Sequence, residues 1–267
     1  LDAITTTGGS GSGTNIGGLA GSVTIDTGAD IITLNDNITC IGGASETGTG
    51  GAGGAVTFSD LVTIDENITI DTSGGVGNSG ANNGAGGAIL FTTTLDATVA
   101  ETLTLTAAGA TDGVIDFKQA VGSGTPLGLV TINDAAAVKA WSTFQCAGFS
   151  QTTAGTGTIQ FVGLLTSSAA VTITATTVDL DLGITTTAGS DAGLVTLTGS
   201  VDVNLAAAAT ITTAAAAGTV SGAIAINGTG SGTATILGDL VTTGTNNGSG
   251  VGSAGVAVNI TTVNGIV

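Results

Sequence analysis

The sequence predicts an all-β chain wound as a right-handed parallel β-helix, a β-solenoid of about eight coils of roughly 33 residues with three short strands per coil. Three observations predict it. Residues 54–70 read Gly-Ala-Val-Thr-Phe-Ser-Asp-Leu-Val-Thr-Ile-Asp-Glu-Asn-Ile-Thr-Ile, three alternating apolar stretches with turn residues between them. The Gly-Φ-x-Φ phrase that opens this unit, Φ being apolar, recurs down the chain. The third is composition: 47 Gly and many Thr accompany Val, Ile and Leu, and one Trp, six Phe and no Tyr or Met are too few large side chains for a compact globular core.

Within the unit, Val56 and Phe58, Val62 and Ile64, and Ile68 and Ile70 alternate with other residues, the period of two expected of strands with one buried face. Ser59-Asp60 and Asp65-Glu66-Asn67 supply the turns. Counted from a Gly two residues before the first buried side chain, units start at Gly21, Gly54, Gly87, Gly113, Gly157, Gly193, Gly222 and Gly255. The steps are 33, 33, 26, 44, 36, 29 and 33, a period that signals a repeat architecture. The hexapeptide rule of left-handed helices is absent, and the crossover preference then favours right-handed winding.

In this register Ile25, Phe58, Phe91, Phe117, Phe161, Leu197 and Ile226 form one interior column, the core ladder. Val23, Val56, Ile89, Ile115, Ile159, Val195 and Ile224 run beside it. Thr24, Thr57 and Thr196 face outward, and the third strands carry Thr-rich phrases such as Thr5-Thr6-Thr7, as suits an exposed pleated surface. The third turn expands into glycine-rich segments at residues 244–254, 8–20, 42–53 and 71–86. These lack the Lys-Ser/Thr and helix of a phosphate loop and read as loops packed along one corner. Coil four, residues 113–156, concentrates the rare residue types. Its Lys118, Lys139, Trp141 and Phe144 are the candidate contact surface, set against the plainer reading that Trp141 and Phe144 cover a widened coil edge.

Nineteen acids against two lysines give a net charge of -17, with no Arg and no His. Binding to nucleic-acid phosphates or to anionic membranes is excluded, since both depend on clustered basic residues. No long apolar span or charged-then-apolar leader is present, so we expect no direct membrane insertion and read the chain as a processed or partial product. An acidic surface attracts divalent cations. Asp179 and Asp181 are weak calcium candidates because Val178, Leu180 and Leu182 are expected to take the inward places; two carboxylates alone are more often a solvated strand edge. No other cofactor is implied. Cys40 and Cys146, three strand spacings apart, would lie roughly 14 Å from each other, too far for a disulfide. Cys40, in the place of Ile70, reads as a small buried hydrophobe.

Residues 255–267 begin a coil that residues 1–20 complete: together they make 33 residues, the regular step. The joined coil brings Val256 and Val258, then Ile266 with Leu1, then Ile4, with a one-residue slip that leaves Asn259 where the core ladder would continue. Neither end carries a polar cap or covering helix. The expected partner is therefore the chain itself, head to tail, as covalent tandem repeats or as stacked subunits.

The tandem Gly-Φ-x-Φ coils, Thr-rich outer faces and Asn-Gly loops resemble bacterial β-solenoid surface proteins, the filamentous-haemagglutinin-like and autotransporter-type adhesins. That resemblance implies a secreted, extracellular stalk, fibre or adhesive surface that touches a host or neighbouring cell. The expected function is a non-enzymatic building block of such a filament. A carbohydrate-active or carbohydrate-binding β-helix is the alternative, although catalysis on acidic polysaccharides normally needs an Arg, Lys or His beside its carboxylates. An ice-binding surface is a third reading, carried by Thr172-Ile173-Thr174 and Thr196-Leu197-Thr198, whose Thr pairs do not recur over all coils. The sequons at Asn37 and Asn67 are expected to lie in strands.

Overall fold

The structure, a computed structural model, describes residues 1–78, 82–153, 157–187, 193–214, 220–231, 233–244, 256–263 and 266. Among these residues every regular element is a strand and none is a helix. The strands are mostly parallel and gather into a large sheet, with a separate three-stranded sheet made by Ile32–Leu34, Val62–Ile64 and Leu95–Ala97. This arrangement is compatible with a β-solenoid. The chain divides into two compact units, the first Leu1–Leu127 with Thr131–Val138, the second Gly128–Val130 with Lys139–Val267.

In the first unit, successive tiers repeat three short strands. Val23–Ile25, Val56–Phe58, Ile89–Phe91 and Val114–Phe117 pair in parallel, aligning Val23, Val56, Ile89 and Ile115, and beside them Ile25, Phe58, Phe91 and Phe117. The second strands align Ile32, Val62, Leu95 and Val121. The third align Ile4, Ile38, Ile70 and Leu105. Phe58, Phe91 and Phe117 are fully buried, and their rings stack at centroid spacings of 4.7 and 5.2 Å. This is the strand spacing itself, so the aromatic contact comes with the register.

The second unit uses longer strands. Val171–Leu180 and Val195–Leu205 each run through two strand positions, with a register shift between Ala175 and Thr177 that bends the chain without ending the ladder. One row aligns Val171, Val195, Ile224 and Val258, with Ile173, Leu197, Ile226 and Ile260 beside it. Another aligns Ile159, Val178, Val203, Ala234 and Ile266. A third aligns Leu165, Ile184, Ile211 and Leu240.

Several expected positions move. Phe161 pairs with Leu180, which pairs with Leu205, whereas Leu197 and Ile226 continue from Ile173. Leu197 and Ile226 thus leave the expected core ladder: they stand in a different row from Phe161. The cause is the long strands: each carries two alternating phrases, and Ile159-Gln160-Phe161 matches either by pattern. Ile38 pairs with Ile70, which sets Cys40 beside Thr72 rather than Ile70. Asn259 pairs with Ala225, so Val258 and Ile260 take the inward places and the ladder continues through Ile260. Asn37 and Asn67 stand in turns just before Ile38–Thr39 and Ile68–Asp71.

Candidate functional site

Two kinds of surface are candidates: the strand edges where tiers stop, and the outward row around Trp141. At the first edge, Val23 and Ile25 are half-buried, whereas Val56 and Phe58 one tier on are fully buried. Ile4 is half-buried in the third-strand row. Leu1 lies against the second strand: its carbonyl accepts from Asn35 N–H at 2.9 Å and its ammonium donates to the Thr33 carbonyl. Its side chain is 45% exposed. In the second unit the edge is formed by Val258, 39% exposed, with Ile260, Leu240 and Ile266. Val256 precedes the last strand, and its carbonyl accepts from the Thr242 hydroxyl at 3.0 Å.

That last contact belongs to a recurring closure. The hydroxyl of Thr6 donates to the Gly21 carbonyl at 2.6 Å, Thr72 to Gly87 at 2.7 Å, Thr186 to Gly193 at 2.9 Å and Thr213 to Gly222 at 2.7 Å. In each case the end of a third strand is stitched to the start of the next first strand. Thr72, Thr186 and Thr213 are fully buried, and the bond satisfies a hydroxyl that would otherwise be costly there. Cys40 takes this place between Thr6 and Thr72, and burial pushes its thiol up. Cys146 is also buried, its thiol pushed up to about 12 by desolvation; both cysteines are free.

The glycine-rich corner of the first unit is ordered by main chain. Its three loops run out and back, and their arms hydrogen-bond in a zigzag: Gly18 N–H to Gly9 O, Gly43 to Gly18, Gly51 to Gly43, Gly75 to Gly51 and Gly84 to Gly75, at 2.7 to 2.8 Å. A Cβ on Gly51 would stand 1.8 Å from the Gly18 carbonyl oxygen. Glycine is required there by close backbone approach, not by a left-handed φ. The loops do pack along one corner as expected; residues 245–255, which carry most of the fourth loop, lie outside the described residues.

The turns contribute side chains to neighbouring tiers. Asp60 Oδ2 accepts from Thr27 N–H at 2.6 Å and Gly28 N–H at 3.2 Å, and these donors hold its carboxyl below the usual range. Asn37 Oδ1 accepts from Thr69 N–H at 2.6 Å, and Asn67 Oδ1 from Thr102 N–H at 2.9 Å. Sequence reasoning assigned Asp60 and Asn67 to turns, expected Asn37 in a strand, and missed this second role of all three.

Lys118 lies in the first unit, ion-paired with Asp116; Lys139, Trp141 and Phe144 lie in the second. Phe144 is fully buried, edge-on to Phe149 and Phe161 at 5.8 and 5.7 Å, so it belongs to the core and leaves the contact surface. Trp141 is 44% exposed, with Lys139 Nζ 3.6 Å from its ring centroid, a cation–π pair of about 0.5–1 kcal/mol at such a site. Gln160, Asp179 and Asn204 align on the outward face of the same sheet region. Burial and the Asp181 carboxylate push the Asp179 carboxyl up, and the Lys139 ammonium opposes them. Leu182, expected inward, is 48% exposed at the turn before Gly183, whose φ is 103°. A calcium ion here would find two carboxylates facing an ammonium; among the described residues no cluster of three metal-ligating side chains forms.

The Thr-x-Thr phrases do lie side by side, Thr172 on Thr196 and Thr174 on Thr198, but the next tier presents Ala225 and Asn227. No family model, curated protein or solved structure matches the chain.

Proposed function

We propose that the chain is a non-enzymatic structural segment of an extracellular filament, a right-handed β-solenoid of about eight coils that continues end to end from copy to copy by the same stacking that joins its own tiers. The observation that carries this reading is the pair of uncovered strand edges: the same apolar rows that are fully buried one tier inward reach the surface at Val23 and Ile25 and at Val258 and Ile260. An open parallel edge with an apolar row is a template for further pairing. Copies joined as tandem repeats and copies stacked as subunits place the same residues in contact. The acidic exterior, net charge -17, keeps neighbouring filaments apart. The similarity of the repeat pattern to bacterial adhesins supports an extracellular, cell-surface setting.

Eight coils at about 4.8 Å advance about 38 Å per copy. Electron microscopy of the native material is expected to reveal filaments with an axial repeat near that value. Discrete particles one copy long would sink the filament reading. They would favour the second one, a carbohydrate-binding face, for which the half-exposed Trp141 beside the outward Lys139, Gln160, Asp179 and Asn204 speaks.

A further inference from the structure

Asn37 and Asn67 each open an Asn-Ile-Thr phrase, the acceptor pattern for N-linked sugar, and each stands exposed in the turn before a third strand. The structure fixes how each amide is turned. Asn37 Oδ1 accepts from Thr69 N–H at 2.6 Å, and Asn67 Oδ1 accepts from both the N–H and the hydroxyl of Thr102 at 2.9 Å. A main-chain N–H only donates, so the oxygen is the end that meets the next tier and the nitrogen is the end that faces away. Among the described residues no acceptor takes a proton from either Nδ2. Other phrases of the same pattern differ. Asn227-Gly228-Thr229 begins inside the strand Ile224–Gly228, where Asn227 is half-buried and its Nδ2 donates to Thr198 Oγ1 at 3.4 Å. Asn259-Ile260-Thr261 lies wholly within Val258–Thr261, paired along its length with the preceding tier. Asn247-Gly248-Ser249 is outside the described residues.

We propose that Asn37 and Asn67 are attachment sites for N-linked sugar, transferred from a donor activated as a nucleotide- or lipid-linked phosphate. Nδ2 forms the bond to the sugar C1 as the C1–O bond to phosphate breaks. The phosphate leaves with the electron pair, and one Nδ2 proton passes to a base of the transferring enzyme. The product keeps Oδ1 and one N–H, so the hydrogen bond to the next tier survives the modification. Ile38 and Ile68, the middle residues of the two phrases, are each 1% exposed. An enzyme that reads the phrase as an extended segment cannot reach it once the tier has closed, so transfer precedes closure, on the chain as it is exported. The closed tier then holds the product with its sugar outward, over the exposed Asp36, Asp65 and Glu66 of the same two turns. The inference rests on the extracellular setting of the reading above and not on the joining of copies.

The test is peptide mapping by mass spectrometry, with fragmentation that leaves side-chain modifications in place, on the protein recovered from outside the cells that make it. Asn67→Asp is expressed alongside; its carboxylate still accepts from Thr102 N–H but offers no nitrogen for transfer. The expected result is saccharide mass on Asn37 and Asn67, none on Asn227 or Asn259, and in the variant its loss at position 67 alone. Unmodified Asn37 and Asn67 in extracellular protein would overturn the proposal and leave the filament reading standing. Saccharide that persists on the Asn67→Asp peptide would place the sugar on a threonine and overturn the asparagine assignment. Equal occupancy at Asn227 or Asn259 would overturn the argument from an outward nitrogen in a turn. Protein found only inside the cell would remove the extracellular reading and this inference with it.

Discussion

The two units close the same corner in different ways. In the first, the Thr6 and Thr72 hydroxyls reach carbonyls 15 residues on; in the second, those of Thr186 and Thr213 reach carbonyls only 7 and 9 residues on, and that of Thr242 one 14 residues on. The bond and its place in the strand are the same, so the stitch fixes where the next tier begins regardless of the length of chain between. What differs is the cost of stacking the detour. Long out-and-back loops bring main chain against main chain, and only glycine permits that approach. The short corners closed by Thr186 and Thr213 avoid the problem, and the bends of that unit are instead made inside Val171–Leu180 and Val195–Leu205.

The largest expected break in this comparison is Gly51→Ala against Gly148→Ala. The first methyl would sit 1.8 Å from the Gly18 carbonyl oxygen and 2.4 Å from its carbon, both backbone atoms held by neighbouring tiers. We expect a loss of more than about 3 kcal/mol in denaturant unfolding. At Gly148 the nearest atom is Leu129 Cδ1 at 3.1 Å, the end of a half-exposed side chain that can move, and the expected change is within about 0.5 kcal/mol. Equal losses at the two sites would show that backbone approach is not what selects glycine in the first unit.

A smaller effect is expected at the stitch. Thr72→Val and Thr213→Val keep the side-chain shape and remove one buried hydroxyl bond each, at about 1–2 kcal/mol. If the stitch acts independently of loop length, the two losses match; a clearly larger loss at Thr72 would mean that the long loop depends on it. The smallest effect is a gain. Cys40→Thr restores the hydroxyl its row neighbours Thr6 and Thr72 carry, and should stabilise by up to about 1 kcal/mol. A loss on the same assay would show that the Cys40 place cannot accept the stitch.

The three strand phrases, their turns and the column Ile25–Phe58–Phe91–Phe117 were legible in the sequence because alternation and a constant step of the chain coincide there. The rows of the second unit were not. A shift of two residues keeps every side chain on its face, so pattern alone does not choose between Ile70 and Thr72 as the neighbour of Cys40. Nor does it choose between Leu180 and Leu197 as the neighbour of Phe161; hydrogen bonding along the long strands decides. Phe144 was misplaced because rarity was taken for exposure, whereas its ring fills the core edge-on to two others. Ile4 and Val258 stand in the outermost strands of their rows, which the alternation of their phrases made legible.

The threonine stitch also sets how such a gene can grow. Unequal recombination whose breakpoints fall at two equivalent threonines inserts or removes a whole tier and leaves every remaining row aligned. An insertion inside a glycine loop lengthens a detour without moving the closure. One extra codon within Ile68–Asp71, by contrast, turns every later side chain of that strand to the opposite face. Inherited length variation should therefore come in whole tiers or in loop glycines, and hardly ever in single residues of a strand.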